Sequence, residues 1–126
     1  MMSLHALSPL DGRYEKETSP LRDFFSEFAY LKTRARLELD YLTALSKTGI
    51  ISSDALSGYK PDLLDSLTNE DALKIQEYEK TTRHDVKAIE YYLRDVLPKE
   101  IHQWIHFGLT SEDINNTSHA LMLGRA

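Results

Sequence analysis

Cysteine is absent from the 126 residues, which excludes a disulfide frame, thiol chemistry and thiolate-bound metal. The absence fits a reducing compartment. Glycine and proline are scarce, at 5 and 4 residues, below the usual combined share of about 12%, and they fall between periodic segments. Valine occurs only twice against 19 leucines, a balance that favours helix over sheet. Long apolar runs are missing. None exceeds the four residues of Phe28 to Leu31 and Ala120 to Leu123, so nothing spans a membrane. The opening Met1-Met2-Ser3-Leu4-His5 lacks the basic stretch and apolar core of a secretory signal. Positive charge is in deficit, at a net −5, which argues against nucleic acid or an anionic membrane as main partner. An anionic small molecule would need a local cationic site. There is no glycine-rich phosphate loop and no G-x-S-x-G.

What remains is a chain of one domain's length with 41% hydrophobic and 28% charged residues, globular in composition. Its fold class is all-α. Residues 1–19 read as an irregular arm with a turn at Asp11-Gly12. Ser19-Pro20 predicts a helix start, with a hydroxyl cap and proline at the first helical position. Leu21, Phe24, Phe28, Leu31, Ala35, Leu42 and Leu45 follow at alternating 3 and 4 spacing, with Glu38 in the one skipped place and Gly49 as the stop. Gly58 and Pro61 break the region 50–68 into short turns. Thr68-x-x-Asp71 predicts a polar helix to about Thr81. Thr82-x-x-Asp85 predicts another, with Val86, Ile89, Leu93 and Val96 on one face and Pro98 at its end. Ile101 to Phe107 is a short apolar piece, and Thr110-x-x-Asp113 opens a last helix through Leu121 and Leu123. The apolar pattern still runs at Ala126, as in the first part of a longer helical protein.

Three stretches carry polar residues that helix building does not require. In Ser8-Pro9-Leu10-Asp11-Gly12-Arg13-Tyr14, Gly12 lets the backbone turn and Arg13 offers a rigid fork suited to phosphate or carboxylate; an ordinary surface turn would look the same. In Thr81-Thr82-Arg83-His84-Asp85-Val86-Lys87, the predicted cap puts Arg83 and His84 in the first helical turn, where free N–H groups favour anions. Asp85 there can orient His84 or simply cap. In Gly108-Leu109-Thr110-Ser111-Glu112-Asp113-Ile114-Asn115-Asn116, two hydroxyls beside free N–H groups suit a carboxylate. Asn115 and Asn116 are poor helix formers just inside a helix, which points to a buried polar site. His102 and His106 stand four apart, as zinc ligands can, but with no third ligand and with Trp104, Ile105 and Phe107 around them they read as packing. Tyr91-Tyr92 reads as core and rim.

Taken together, S-P-L-D-G-R-Y, T-T-R-H-D-V-K-A-I-E-Y and H-F-G-L-T-S-E-D-I-N-N-T-S-H-A-L resemble the adenylosuccinate lyase family in order and separation, over essentially the whole chain. T-S-x-D-x-N-N alone indicates the wider fumarase and aspartase superfamily; the other two stretches narrow it. Some members of the bacterial branch that the chain otherwise resembles most carry Asn where Arg83 stands, and others in the family carry Arg, so the resemblance leaves the contact at position 83 open. It implies an N-terminal helical domain over 20–109 and, from 110 to 126, the start of a long central helix bundle. It also implies a cytoplasmic homotetramer with active sites shared between subunits and no metal or organic cofactor. The implied reaction is β-elimination of fumarate from adenylosuccinate, giving AMP, and from the succinylated aminoimidazole carboxamide ribotide, in purine synthesis. By resemblance, Arg13 and Tyr14 hold the nucleotide phosphate end, and Arg83, His84 and Asp85 line the substrate. His84 orients it or hydrogen-bonds a polar group, and Thr110 and Ser111 grip a succinyl carboxylate. The family's general acid, a histidine, and its general base, a serine on a loop, lie further along than these 126 residues.

Two other readings differ in what they need. A helical interaction module would depend on its apolar seam at Phe24 or Leu31 and ignore Arg13 and His84. An argininosuccinate-type lyase would share Thr110-Ser111 but not need Arg13-Tyr14.

Overall fold

The computed structural model describes residues 4–57 and 64–126; Gly58 and Pro61, expected to break the chain, lie outside them. Among the described residues there are helices and turns and no strand, and the all-α expectation holds. The arm expected to be irregular through residue 19 instead closes on a one-turn helix, α1 (Glu15–Thr18), and a second one-turn helix, α2 (Arg22–Phe25), follows it. Four longer helices follow: α3 (Glu27–Lys47), α4 (Asn69–Thr82), α5 (Asp85–Val96) and α6 (Ser111–Arg125).

The central α3 begins later than Ser19-Pro20 predicts. That pair opens only a 3-10 turn, Ser19–Leu21. The chain then breaks at Ser26, whose extended backbone (ψ 162°) lets its hydroxyl accept the Ala29 N–H at 3.1 Å. The break leaves few backbone groups unpaired because Ser26 supplies a cap for the new helix. Leu21, outside it, is 48% exposed. The apolar seam therefore runs from Phe28: Leu31, Ala35, Leu39, Leu42 and Leu45 are buried. Gly49 ends the helix as expected, in the left-handed conformation (φ 83°) that glycine adopts without a Cβ penalty.

Thr68 and Asp71 open α4 by the expected reciprocal box. Asp71 Oδ2 accepts the Thr68 N–H at 2.9 Å and Thr68 Oγ1 accepts the Asp71 N–H at 3.3 Å. The cap expected at Thr82 is displaced. Thr82 is the last residue of α4, Arg83 takes a left-handed conformation (φ 52°), and His84 caps α5, its Nδ1 accepting the Lys87 N–H at 3.2 Å. So Arg83 and His84 lie just before the first turn, not within it. Reversing direction between two helices in so few residues requires a left-handed residue at the junction. Thr82 braces it by donating to the His84 carbonyl at 3.0 Å.

Val86, Ile89 and Leu93 of α5 are buried as predicted, whereas Val96, the last residue of the helix, is 38% exposed. They meet Ile75 of α4 and the seam of α3 in one core, closed below by Leu97, Ile101 and Ile105. Each such side chain contributes roughly 1.5–3 kcal/mol by burial. Lys99–Trp104 is a 3-10 helix and His106 is left-handed (φ 61°), so His102 and His106 do not share one α-helical face. Tyr92 is buried and Tyr91 half-buried, core and rim as read. The box expected at Thr110-x-x-Asp113 opens α6, whose Ile114, Ser118 and Met122 are buried where it packs along α3. None of the described helices is long and apolar enough to cross a membrane.

Candidate active site

The site is organised by one face of α3. Tyr30, Arg34, Glu38 and Tyr41 are spaced 4, 4 and 3 apart, which aligns them along a helix. Tyr30 and Arg34 reach polar stretches singled out in the sequence, and Glu38 and Tyr41 reach His106 and Phe107, just before the third of them. The Tyr30 hydroxyl donates to Asn115 Oδ1 at 2.8 Å. Arg34 Nη1 donates to Asp85 Oδ2 and, at 3.4 Å, to Asn115 Oδ1. The guanidinium lies 3.8 Å above the Tyr30 ring, which stacks on His119 at 4.8 Å between centroids. Arg34 thus ties the start of α5 to the first turns of α6.

Burial alone would raise the Asp85 pKa, but the Arg34 hydrogen bond and charge outweigh it and hold the carboxyl below its usual range. Its other oxygen accepts the Val86 N–H at 2.9 Å. Beside it, His84 keeps half of its side chain exposed. Because Nδ1 accepts a backbone N–H, the proton of the neutral ring sits on Nε2, at the donor edge turned away from the cap. Arg83 is exposed on the left-handed junction.

Thr110 is committed to its box. Its hydroxyl pairs with Asp113, whose Oδ2 also accepts the Thr110 N–H at 2.8 Å. That backbone bond, joined by the hydroxyl, lowers the Asp113 pKa. Ser111, half-buried at the first helical position, stays outside the box. Of the paired amides, Asn115 is half-buried and faces Arg34, whereas Asn116 is exposed and donates to Glu112 at 3.1 Å.

Arg13 and Tyr14 are held differently. Asp11 Oδ1 accepts the Ser8 N–H at 2.8 Å and Tyr14 N–H donates to the Pro9 carbonyl at 2.9 Å, folding the arm around a buried Gly12. Both side chains are exposed, with the Arg13 guanidinium 5.2 Å over the Tyr14 ring. The structure thus brings the second and third stretches together through Arg34, while the first stands on its own arm.

His102 Nε2 donates to the Leu97 carbonyl at 2.9 Å and His106 Nδ1 meets Glu38 Oε1. Among the described residues no group of three His, Asp or Glu side chains is placed to hold a metal. No local motif singles out Tyr30, Arg34 or Tyr41, and Glu38 stands in the sequence only as the skipped place in the seam. A polar row spaced 4, 4 and 3 beside the apolar seam of an amphipathic helix is the signal that finds them.

A family model described as lyase matches residues 12–126, and the chain belongs to that lyase family. Within it, the chain is 47% identical to the adenylosuccinate lyase of Vibrio cholerae, 44% to that of Escherichia coli and 43% to that of Haemophilus influenzae. Each match covers the whole of this chain and 30% of the relative, so the chain spans under a third of the curated relatives it matches and corresponds to their N-terminal part.

Proposed function

We propose that this chain is the N-terminal portion of an adenylosuccinate lyase, working in purine synthesis in the cytoplasm as a homotetramer whose active sites draw on several subunits. The observation that carries this reading is the match over the entire chain, polar stretches included, to relatives bearing that name. The reaction is β-elimination. A base removes the proton beside a succinyl carboxylate, the electron pair forms the fumarate double bond as the C–N bond breaks, and an acid protonates the departing nitrogen. Adenylosuccinate then gives AMP, and the succinylated carboxamide ribotide is cleaved in the same way. Neither reaction takes a cofactor.

This chain's residues bind and orient. His84 Nε2–H donates to a polar group of the substrate, its ring held by the bond at Nδ1. Arg83 lines the same side, and Asp85, drawn back by Arg34, sets where α5 begins. Ser111 and the first-turn N–H groups of α6 receive the succinyl carboxylate, with Thr110 shaping that turn. Donors fixed before charge develops stabilise the carbanion-like state most. Arg13 and Tyr14 take the phosphate end, and residues 110–126 begin the central bundle. General acid and base come from segments beyond these residues, so the isolated chain is inactive.

The test is fumarate release from adenylosuccinate by the full-length protein, wild type beside His84→Ala. Strong release lost on substitution supports the reading, and release from argininosuccinate instead would move the protein to the neighbouring lyase. Turnover by the 126 residues alone would refute the inactivity of the piece.

A further inference from the structure

Glu38 sits at the centre of α3 with no exposed surface, in a place where a leucine would continue the apolar seam. One carboxylate oxygen meets His106 Nδ1, and the other, Oε2, is buried without a partner. Burying a half-satisfied carboxyl is costly, and here burial pushes the group up despite the His106 bond. The partner is equally unusual. His106 is a non-glycine residue at φ 61°, a conformation uncommon for L residues and one that the surroundings here help to hold.

One turn further along α3, the Tyr41 hydroxyl donates to the Phe107 carbonyl at 2.8 Å. Gly108 is also left-handed, at φ 72°, and a Cβ there would lie 3.8 Å from the Tyr41 oxygen. Two side chains of α3 therefore grip consecutive residues of a tight turn, and Leu109 N–H closes it on the His106 carbonyl at 3.2 Å. That turn delivers Thr110 and Ser111.

We propose that Glu38 is a positioning residue for the lyase site: through His106 it holds the 106–108 turn in its left-handed form and so sets where Ser111 and the first turn of α6, capped by Thr110, meet the substrate. This rests on the function proposed above for its kinetic part, and on the fold alone for its structural part. An apolar side chain at 38 would pack as well and hold nothing. The polar pair is kept for geometry rather than for stability.

The experiment compares wild type, Glu38→Leu, Glu38→Gln and His106→Gly in the full-length protein. It reads kcat and KM for fumarate release, the thermal midpoint, and amide exchange at Phe107, Leu109 and Asp113. Glu38→Leu is expected to lower kcat/KM at least tenfold and to speed exchange at those three amides, while α4 and α5 keep wild-type protection. Glu38→Gln, which still bonds His106, returns most of the loss. His106→Gly relaxes the backbone strain yet shows the same loss, and it decides the matter if Glu38→Leu fails to fold. Wild-type kcat/KM and exchange in both Glu38→Leu and His106→Gly overturn the proposal, as does a rise in exchange spread evenly over all helices. A wild type that releases no fumarate refutes the proposed function alone; exchange at the three amides then decides the role of Glu38.

Discussion

Arg34 Nη1 donates to Asp85 Oδ2 across 51 positions of sequence, from a side chain only 4% exposed to one 43% exposed. A buried guanidinium, its Nε without a partner, paired at Nη1 with a partly solvated carboxylate is a pair with unequal stakes. Losing the arginine frees a carboxylate that water can reach, whereas losing the carboxylate strands a buried cation. Arg34→Met is therefore expected to cost about 2 kcal/mol and Asp85→Ala about 3 kcal/mol or more. Urea unfolding of both and of the double variant checks this, with a coupling of about 1–2 kcal/mol expected. Equal single costs with no coupling would contradict it.

His84 combines a cap with a donor edge, and the two can be separated. Asparagine caps as well as any residue but is too short to reach as far as imidazole. His84→Asn should hold the wild-type thermal midpoint, while His84→Ala loses about 1 kcal/mol. In the full-length protein both should lose fumarate release. Activity surviving in His84→Asn would reduce His84 to a helix cap.

Two carboxyls that meet the α3 face respond to pH in opposite senses. Asp85 is held below its usual 3.8 once Arg34 outweighs burial, so its stabilisation is present above that value and is lost as pH falls through its folded pKa. Glu38 is raised above its usual 4.5 by burial, against the His106 bond. Its contribution is full below 4.5 and is lost as pH rises through its folded pKa. Denaturant midpoints from pH 2 to 8 should show Asp85→Asn flattening the acid side. Glu38→Gln should remove a decline that begins above pH 4.5. The opposite assignment of limbs would overturn both directions.

The Thr110 box opens α6, and under the proposed function it also shapes the site. Thr110→Ala should cost about 1 kcal/mol, as should Thr68→Ala at the start of α4, but only the first should raise KM in the full-length protein. Thr110→Ser, which keeps the hydroxyl, should restore both. Equal effects of the two alanine variants on KM would remove Thr110 from the site.

The chain by itself should associate. It exposes 8488 Å² where a compact monomer of its mass exposes about 6,900 Å², and Leu21, Phe25 and Leu123 are among the exposed apolar side chains. Sedimentation is expected to show mass rising with concentration, and a constant monomer would refute this.

The sequence determined whatever depends on neighbours three or four residues away. The helical class, the two Thr-x-x-Asp boxes, the stop at Gly49 and the buried faces of α3 and α5 were all legible because capping and amphipathic spacing are local. Between local rules of nearly equal strength, long-range packing made the choice. Thr82 and His84 compete as caps for α5, a difference of about 1 kcal/mol, and that is outweighed by burying Val86, Ile89 and Leu93 at roughly 2 kcal/mol each. Ser26 likewise caps α3 where Ser19-Pro20 predicts an unbroken helix. Arg34 and Glu38 show the limit most clearly. Their partners lie 51 and 68 residues away, and a charge on the buried face of an amphipathic helix has no meaning until packing shows what it meets.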